Sequence, residues 1–148
     1  MKTEQFDERQ LQIRGNVFFR GLLFGMGLVL INAFLQDSGV IWASGFYQNI
    51  LVFLATTMFV SIEAILGGVF FRHRQTHWPM IGLYGVGGVI MIVYELVKFS
   101  QGAELIEHGG LSTKGATFVA GLMFAIAAAI GVCKELSEKR EKANSEIE

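Results

Sequence analysis

Four apolar blocks, each about as long as a bilayer is thick, alternate along this chain with short polar segments. The first covers residues 17–35, VFFRGLLFGMGLVLINAFL, and only Arg20 and Asn32 interrupt it. The second begins at Phe46 and runs to about residue 71, with Glu63 as its one acid. The third covers 79–97 and contains Tyr84 and Glu95, and the fourth covers 114–133. A bilayer core requires ~20 predominantly apolar residues per helix, so the pattern predicts four membrane-spanning helices. The expected fold is all-α, an integral membrane four-helix bundle in a single domain.

The flanking segments then become connections and ends. Residues 1–16 form a polar arm in which Thr3 can cap a short helix and Phe6, Leu11 and Ile13 can rest on the membrane surface. The segment QDSGVIWASG has no Lys or Arg, and its Trp42 suits an interfacial anchor. Residues 98–113 make a longer loop, with room for one amphipathic turn around Leu105 and Ile106. Residues 134–148 are a charged tail expected to continue the fourth helix before fraying.

Composition agrees, with 52% hydrophobic residues and mean hydropathy +0.47. The formal charge of -1 gives no bulk attraction to nucleic acid, but its distribution is informative. Lys2, Arg9, Arg14, Arg20, Arg72, Arg74, Lys134, Lys139, Arg140 and Lys142 all fall on one side of the four spans, and only Lys98 and Lys114 on the other. The positive-inside rule then predicts a cell-membrane protein with both termini and the Arg72–Arg74 turn in the cytoplasm. Cys133 is the single cysteine, so no intramolecular disulfide can form.

Helices in lipid associate through close packing and interhelical hydrogen bonds, since lipid is as apolar as a neighbouring helix. Small residues supply the first: Gly21-xxx-Gly25; Gly82, Gly85, Gly87 and Gly88; Ala116-xxx-Ala120; and Gly121-xxx-Ala125-xxx-Ala129. The run GLYGVGG follows no strand and lies inside an apolar block, so it reads as packing and not as a phosphate loop. The same faces also allow a homodimer.

Polar side chains at membrane depth are costly and are the natural site candidates. With the second helix ending near residue 71, Glu63 is about eight residues, or ~12 Å, from its inner end. Arg20 enters from that side, which predicts a Glu63–Arg20 bridge with Tyr84 near enough in depth to donate a hydrogen bond. A proton- or cation-handling Glu63 is the alternative. Glu95, three residues before Lys98, reads as an interfacial ion pair, and Asn32 as a helix–helix hydrogen bond. His73 and His77 have i, i+4 spacing but no third ligand, so no metal or other cofactor is expected. Outside, Glu104, Glu107 and His108 form the acidic cluster of that face. No HExxH, GxSxG, CxxC or P-loop is present, and an enzyme is not expected.

At Asp7-Glu8-Arg9-Gln10, within FDERQLQIRG ahead of the first span, the chain resembles a group of small, mostly uncharacterised four-helix membrane proteins of Gram-positive bacteria, often encoded beside a transcription regulator. It is similar in style to the membrane inhibitors of LytTR regulatory systems, which hold a regulator at the membrane. That resemblance implies a cytoplasmic protein partner, possibly a DNA-binding regulator, with no direct contact to nucleic acid. The exposed cytoplasmic charges, Asp7, Glu8, Arg9, Arg14, Arg72 and Arg74 with the tail, are the expected partner-binding surface. Two further classes fit the residues: a small proton-coupled transporter or resistance protein using Glu63, and a bacteriocin-type immunity protein that meets a peptide through its outer loops.

Overall fold

The structure is a computed structural model and describes residues 8–69 and 78–145. Asp7, Arg72, Arg74, His73 and His77 lie outside the described residues. Four helices dominate: α1 (Glu8–Asp37), α2 (Phe46–Leu66), α3 (Trp78–Ser100) and α4 (Thr113–Ser145). All four are long and apolar enough to cross a membrane, which makes this a multi-pass membrane protein. Large apolar side chains such as Phe18, Phe34, Phe53 and Leu83 are exposed along them, as side chains facing lipid should be.

The helices pack as a row in the order α1, α2, α4, α3, antiparallel at the two outer contacts and parallel between α2 and α4. One end of the row gathers the start of α1, the end of α2, the start of α3 and the end of α4; we call this the terminal end. The opposite end carries a small hairpin and is called the hairpin end.

Small residues set each contact in the row. On α1, a side chain at Gly21 would overlap a methyl of Val60, and one at Gly25 would lie 2.7 Å from the Thr56 methyl. Phe24 and Phe59 stack beside them with ring centroids 4.4 Å apart. Between α2 and α4, Leu51 sits on Ala116 and Ala120. The α3–α4 seam is closer still. A Cβ on Gly88 would stand 2.8 Å from the Ala125 nitrogen and 2.9 Å from the Gly121 oxygen, so backbone meets backbone there. Of the four α3 glycines, Gly82 and Gly87 face open space and Gly85 makes an ordinary contact; only Gly88 is required by packing.

The element boundaries differ from the sequence expectation in physically informative ways. α2 stops at Leu66 and not near residue 71. Gly68 adopts φ 64°, its N–H donates to the Ile65 carbonyl, and the Val69 N–H donates to the Ala64 carbonyl. That is a Schellman stop, with Val69 packed on Ala64 and Val17 as its hydrophobic contact. A β-branched residue at position 68 cannot hold that φ without strain. Gly68→Val is expected to lower the thermal unfolding midpoint, whereas Gly27→Val, which meets nothing within 4 Å, is not.

Nor is the arm separate from the first span. α1 is unbroken from Glu8, and Ile13 packs beside Val17 and Ala64. α4 continues through the charged tail to Ser145, as expected. Lys134 and Glu138 pair at 3.5 Å, and Lys139 lies over the Trp78 ring at 5.3 Å.

In place of an amphipathic turn, residues 106–111 form a β-hairpin, β1 (Ile106–Glu107) with β2 (Gly110–Leu111). His108 and Gly109 both have positive φ, 50° and 85°, the pattern of a two-residue type I′ turn. Leu111 also bridges Ala43, its N–H donating to the Trp42 carbonyl and its own carbonyl accepting from Ser44. The hairpin thereby ties the α1–α2 connection to the start of α4. Ser112 then caps α4, its hydroxyl accepting from the Gly115 N–H and donating to the Glu104 carbonyl.

Candidate functional site

Polar side chains within the spans form groups at two levels. Near the terminal end, Arg20 Nη1 lies 3.6 Å from Glu63 Oε1, so the expected pair is present. Its depth is not as expected. Because α2 ends at Leu66, Glu63 lies in its last turn, three residues or ~5 Å from the end. An acid there opposes the helix dipole, and Arg20 supplies the compensating cation. The arginine side chain is 65% exposed and the glutamate 25%. Such a pair contributes little to stability: a double-mutant cycle of Arg20→Ala with Glu63→Gln is expected to give a coupling below about 1 kcal/mol.

Tyr84 does not join this pair. Its hydroxyl lies 3.4 Å from Ser61 Oγ, on another face of α2, and its ring meets Phe124 at 5.5 Å. An apolar groove of about 510 Å³ runs along α1 and α2 past Gly25 and Thr56 to Asn32 and Asn49, and Glu63 is not among its lining residues.

Near the hairpin end a polar ladder joins α1 to α2. Buried Asn32 donates to Asn49 Oδ1 at 3.1 Å and accepts from Trp42 Nε1 at 2.9 Å, while Gln36 donates to Gln48 Oε1 at 2.9 Å. Asn32 is therefore the interhelical hydrogen bond expected of it, and it also holds Trp42. Asn32→Leu would orphan both partners. A loss of about 1–3 kcal/mol in unfolding free energy is expected, together with a red shift of Trp42 emission.

Glu95 departs furthest from the sequence reading. It was expected to pair with Lys98 at the interface, but it is 3% exposed and no salt bridge joins it to Lys98 among the described residues. Lys98 instead lies over the Tyr94 ring at 5.4 Å. The reason is helical phase. The buried residues of α3 are Ile81, Gly88 and Glu95, a stripe of spacing seven that faces α4. Ile81 meets Gly131 and Gly88 meets Gly121 and Ala125, so the same stripe carries Glu95 to the first turns of α4. Lys98, three residues further on, has left it.

Among the expected partner-binding residues, Glu8 and Arg9 are exposed at the start of α1, and Arg14 is half-buried. Glu104 and Glu107 are exposed with His108 around the hairpin. Among the described residues no three His, Cys, Asp or Glu side chains gather as metal ligands. Comparison with protein-family models, with curated proteins and with solved structures gives no match.

Proposed function

We propose that the protein is a regulatory cell-membrane protein, with both termini cytoplasmic, that binds and sequesters a cytoplasmic protein partner. A transcription regulator is the partner that the DERQ resemblance implies. The reading rests on one observation: α1 and α4 run past their apolar sections, at the same end of the row, as unbroken helices. A helix anchored in this way is pre-organised, so a partner that docks on it costs less ordering entropy than one that docks on a free arm.

Glu8, Arg9, Lys139 and Arg140 are exposed on these extensions, and so are the apolar Leu11 and Leu136. Mixed charge around a few apolar anchors is the composition of a protein-binding surface. Positive-inside counting assigns this end to the cytoplasm. Holding the partner there would keep it from its DNA. Transport through Glu63 has less support, because Arg20 already supplies that carboxylate with a cation.

The test is purification of a tagged copy from its native membrane beside a variant with Asp7, Glu8 and Arg9 replaced by alanine. A DNA-binding protein that accompanies the intact chain and is lost with the triple variant supports sequestration. If nothing soluble accompanies either, the reading falls. Topology has its own check: in a Cys133→Ser background, an impermeant maleimide applied to intact cells is expected to label His108→Cys and not Ser137→Cys. The reverse pattern inverts the orientation and removes the cytoplasmic surface.

A further inference from the structure

The groove of about 510 Å³ between α1 and α2 is polar at one end only. Asn32 and Asn49 line it near the hairpin end, and from there to Gly21 its walls are apolar or glycine apart from Thr56. The Thr56 hydroxyl is spent on the Val52 carbonyl, and Asn32 uses both atoms of its carboxamide, on Asn49 and on Trp42. Asn49 is different. Its Oδ1 accepts from Asn32, but the residue is exposed, and its Nδ2 has no partner among the described residues. An Nδ2 group carries two N–H donors, so the polar end of the groove offers donors to an occupant.

Leu22, Val29 and Phe53 line the same groove and are each more than half exposed, so it opens sideways into lipid. A smaller cavity of about 260 Å³ between α1, α2 and α4 is not equivalent. Its lining includes Trp42 and Leu111 at the hairpin end, and its polar side chains, Asn32 and Trp42, are bonded to each other.

We propose that the α1–α2 groove holds one acyl chain of a glycerophospholipid from the leaflet at the hairpin end, with the ester carbonyl of that chain accepting a hydrogen bond from Asn49 Nδ2. Depth agrees, because Asn49 stands only ~5 Å inside the start of α2, near the level where a chain joins its glycerol. Length agrees as well. From Gly21 to Asn32 is ~16 Å along α1, against ~15 Å for half of a hydrocarbon core of ~30 Å. Charge places the recognition at the carbonyl and not at the phosphate: residues 36–45, which join α1 to α2, contain Asp37 and no Lys or Arg. A chain seated there touches both helices and strengthens the hold of α2 on α1, whatever partner the opposite end binds.

The experiment is native mass spectrometry of the full chain, stripped of lipid in mild detergent and then given phosphatidylcholine or its dialkyl ether analogue, which lacks the ester carbonyls. Wild type is expected to retain one phosphatidylcholine and to hold the ether analogue roughly two- to tenfold more weakly, the effect of one hydrogen bond. Val29→Trp fills the groove from an exposed position without touching the Gly21 and Gly25 contacts, and should lose the lipid. Leu23→Trp is the control, exposed on α1 but outside the groove, and should keep it. Absence of retained lipid on wild type, or equal retention by Val29→Trp, overturns the proposal, and so does a lipid-free dimer, which would put a second copy in the groove. Equal binding of ester and ether lipids overturns the Asn49 contact. That comparison needs wild type alone, so it decides even if Val29→Trp does not fold.

Discussion

Gly88→Leu is expected to open the α3–α4 seam and produce a large loss of stability. Even an alanine at this position places its Cβ 2.8 Å and 2.9 Å from main-chain atoms of α4. Backbone cannot rotate away as a side chain can, so the helices themselves must separate. Overpacking of this kind costs about 1–3 kcal/mol, and alanine should fall in that range with leucine above it. The adjacent Gly87 supplies the control. It meets nothing within 4 Å, and Gly87→Ala is expected to be neutral or to stabilise by up to about 1 kcal/mol through helix propensity. Thermal or denaturant unfolding of the full chain in nanodiscs separates the two. Equal effects at 87 and 88 would mean that α3 presents a different face to α4. Because Glu95 lies on the same stripe seven residues on, such a result would also remove the physical basis for its burial.

Gly21→Leu together with Gly25→Leu should release α1 from the row. α1 sits at the end of the row, and among the described residues its extensive helix contact is with α2. Leucines at these positions fill the space that the Val60 and Thr56 methyls occupy, so this contact cannot close. Its polar contacts would go with it: the Arg20–Glu63 pair and both hydrogen bonds of Asn32. The protein contains two tryptophans, so in a Trp78→Phe background Trp42 emission reports this event directly. A red shift is expected for the double variant and none for Gly27→Leu, whose position is open. Under the proposed sequestration, partner binding would weaken in parallel, since α1 would no longer hold Glu8 and Arg9 at a set distance from the end of α4. Partner retention with α1 detached would instead assign the contact to α4.

The fold was legible where hydropathy alone decides. Four spans, the small-residue contacts at Gly21, Gly25, Ala116 and Gly121, and the Asn32 hydrogen bond all follow from runs of apolar residues and from what helices in lipid need in order to associate. The Arg20–Glu63 pair was legible because both residues lie toward the same end of their spans. The hairpin was not anticipated, although Glu107-His108-Gly109-Gly110 contains a turn signal; one exposed acid and one exposed isoleucine are too little alternation to mark strands. The end of α2 was missed for a similar reason. Gly67-Gly68 followed by Val69 is a helix stop, but the apolar Val69, Phe70 and Phe71 extend the hydropathic run beyond it.

By itself the sequence determined that this is a four-span membrane protein with charge biased to one side and glycines available for close contact. Only the tertiary structure decided which face of each helix meets protein and which meets lipid. In water those faces differ in polarity, and the amphipathic pattern reveals them. In a membrane both surroundings are apolar, so a helix such as α3 is hydrophobic nearly all round and its phase is set by shape. Gly88 can approach α4 and Gly87 cannot, and that single choice turns Glu95 inward, away from Lys98. The order α1, α2, α4, α3 has the same origin, because it depends on which small-residue surfaces fit one another and not on their order along the chain.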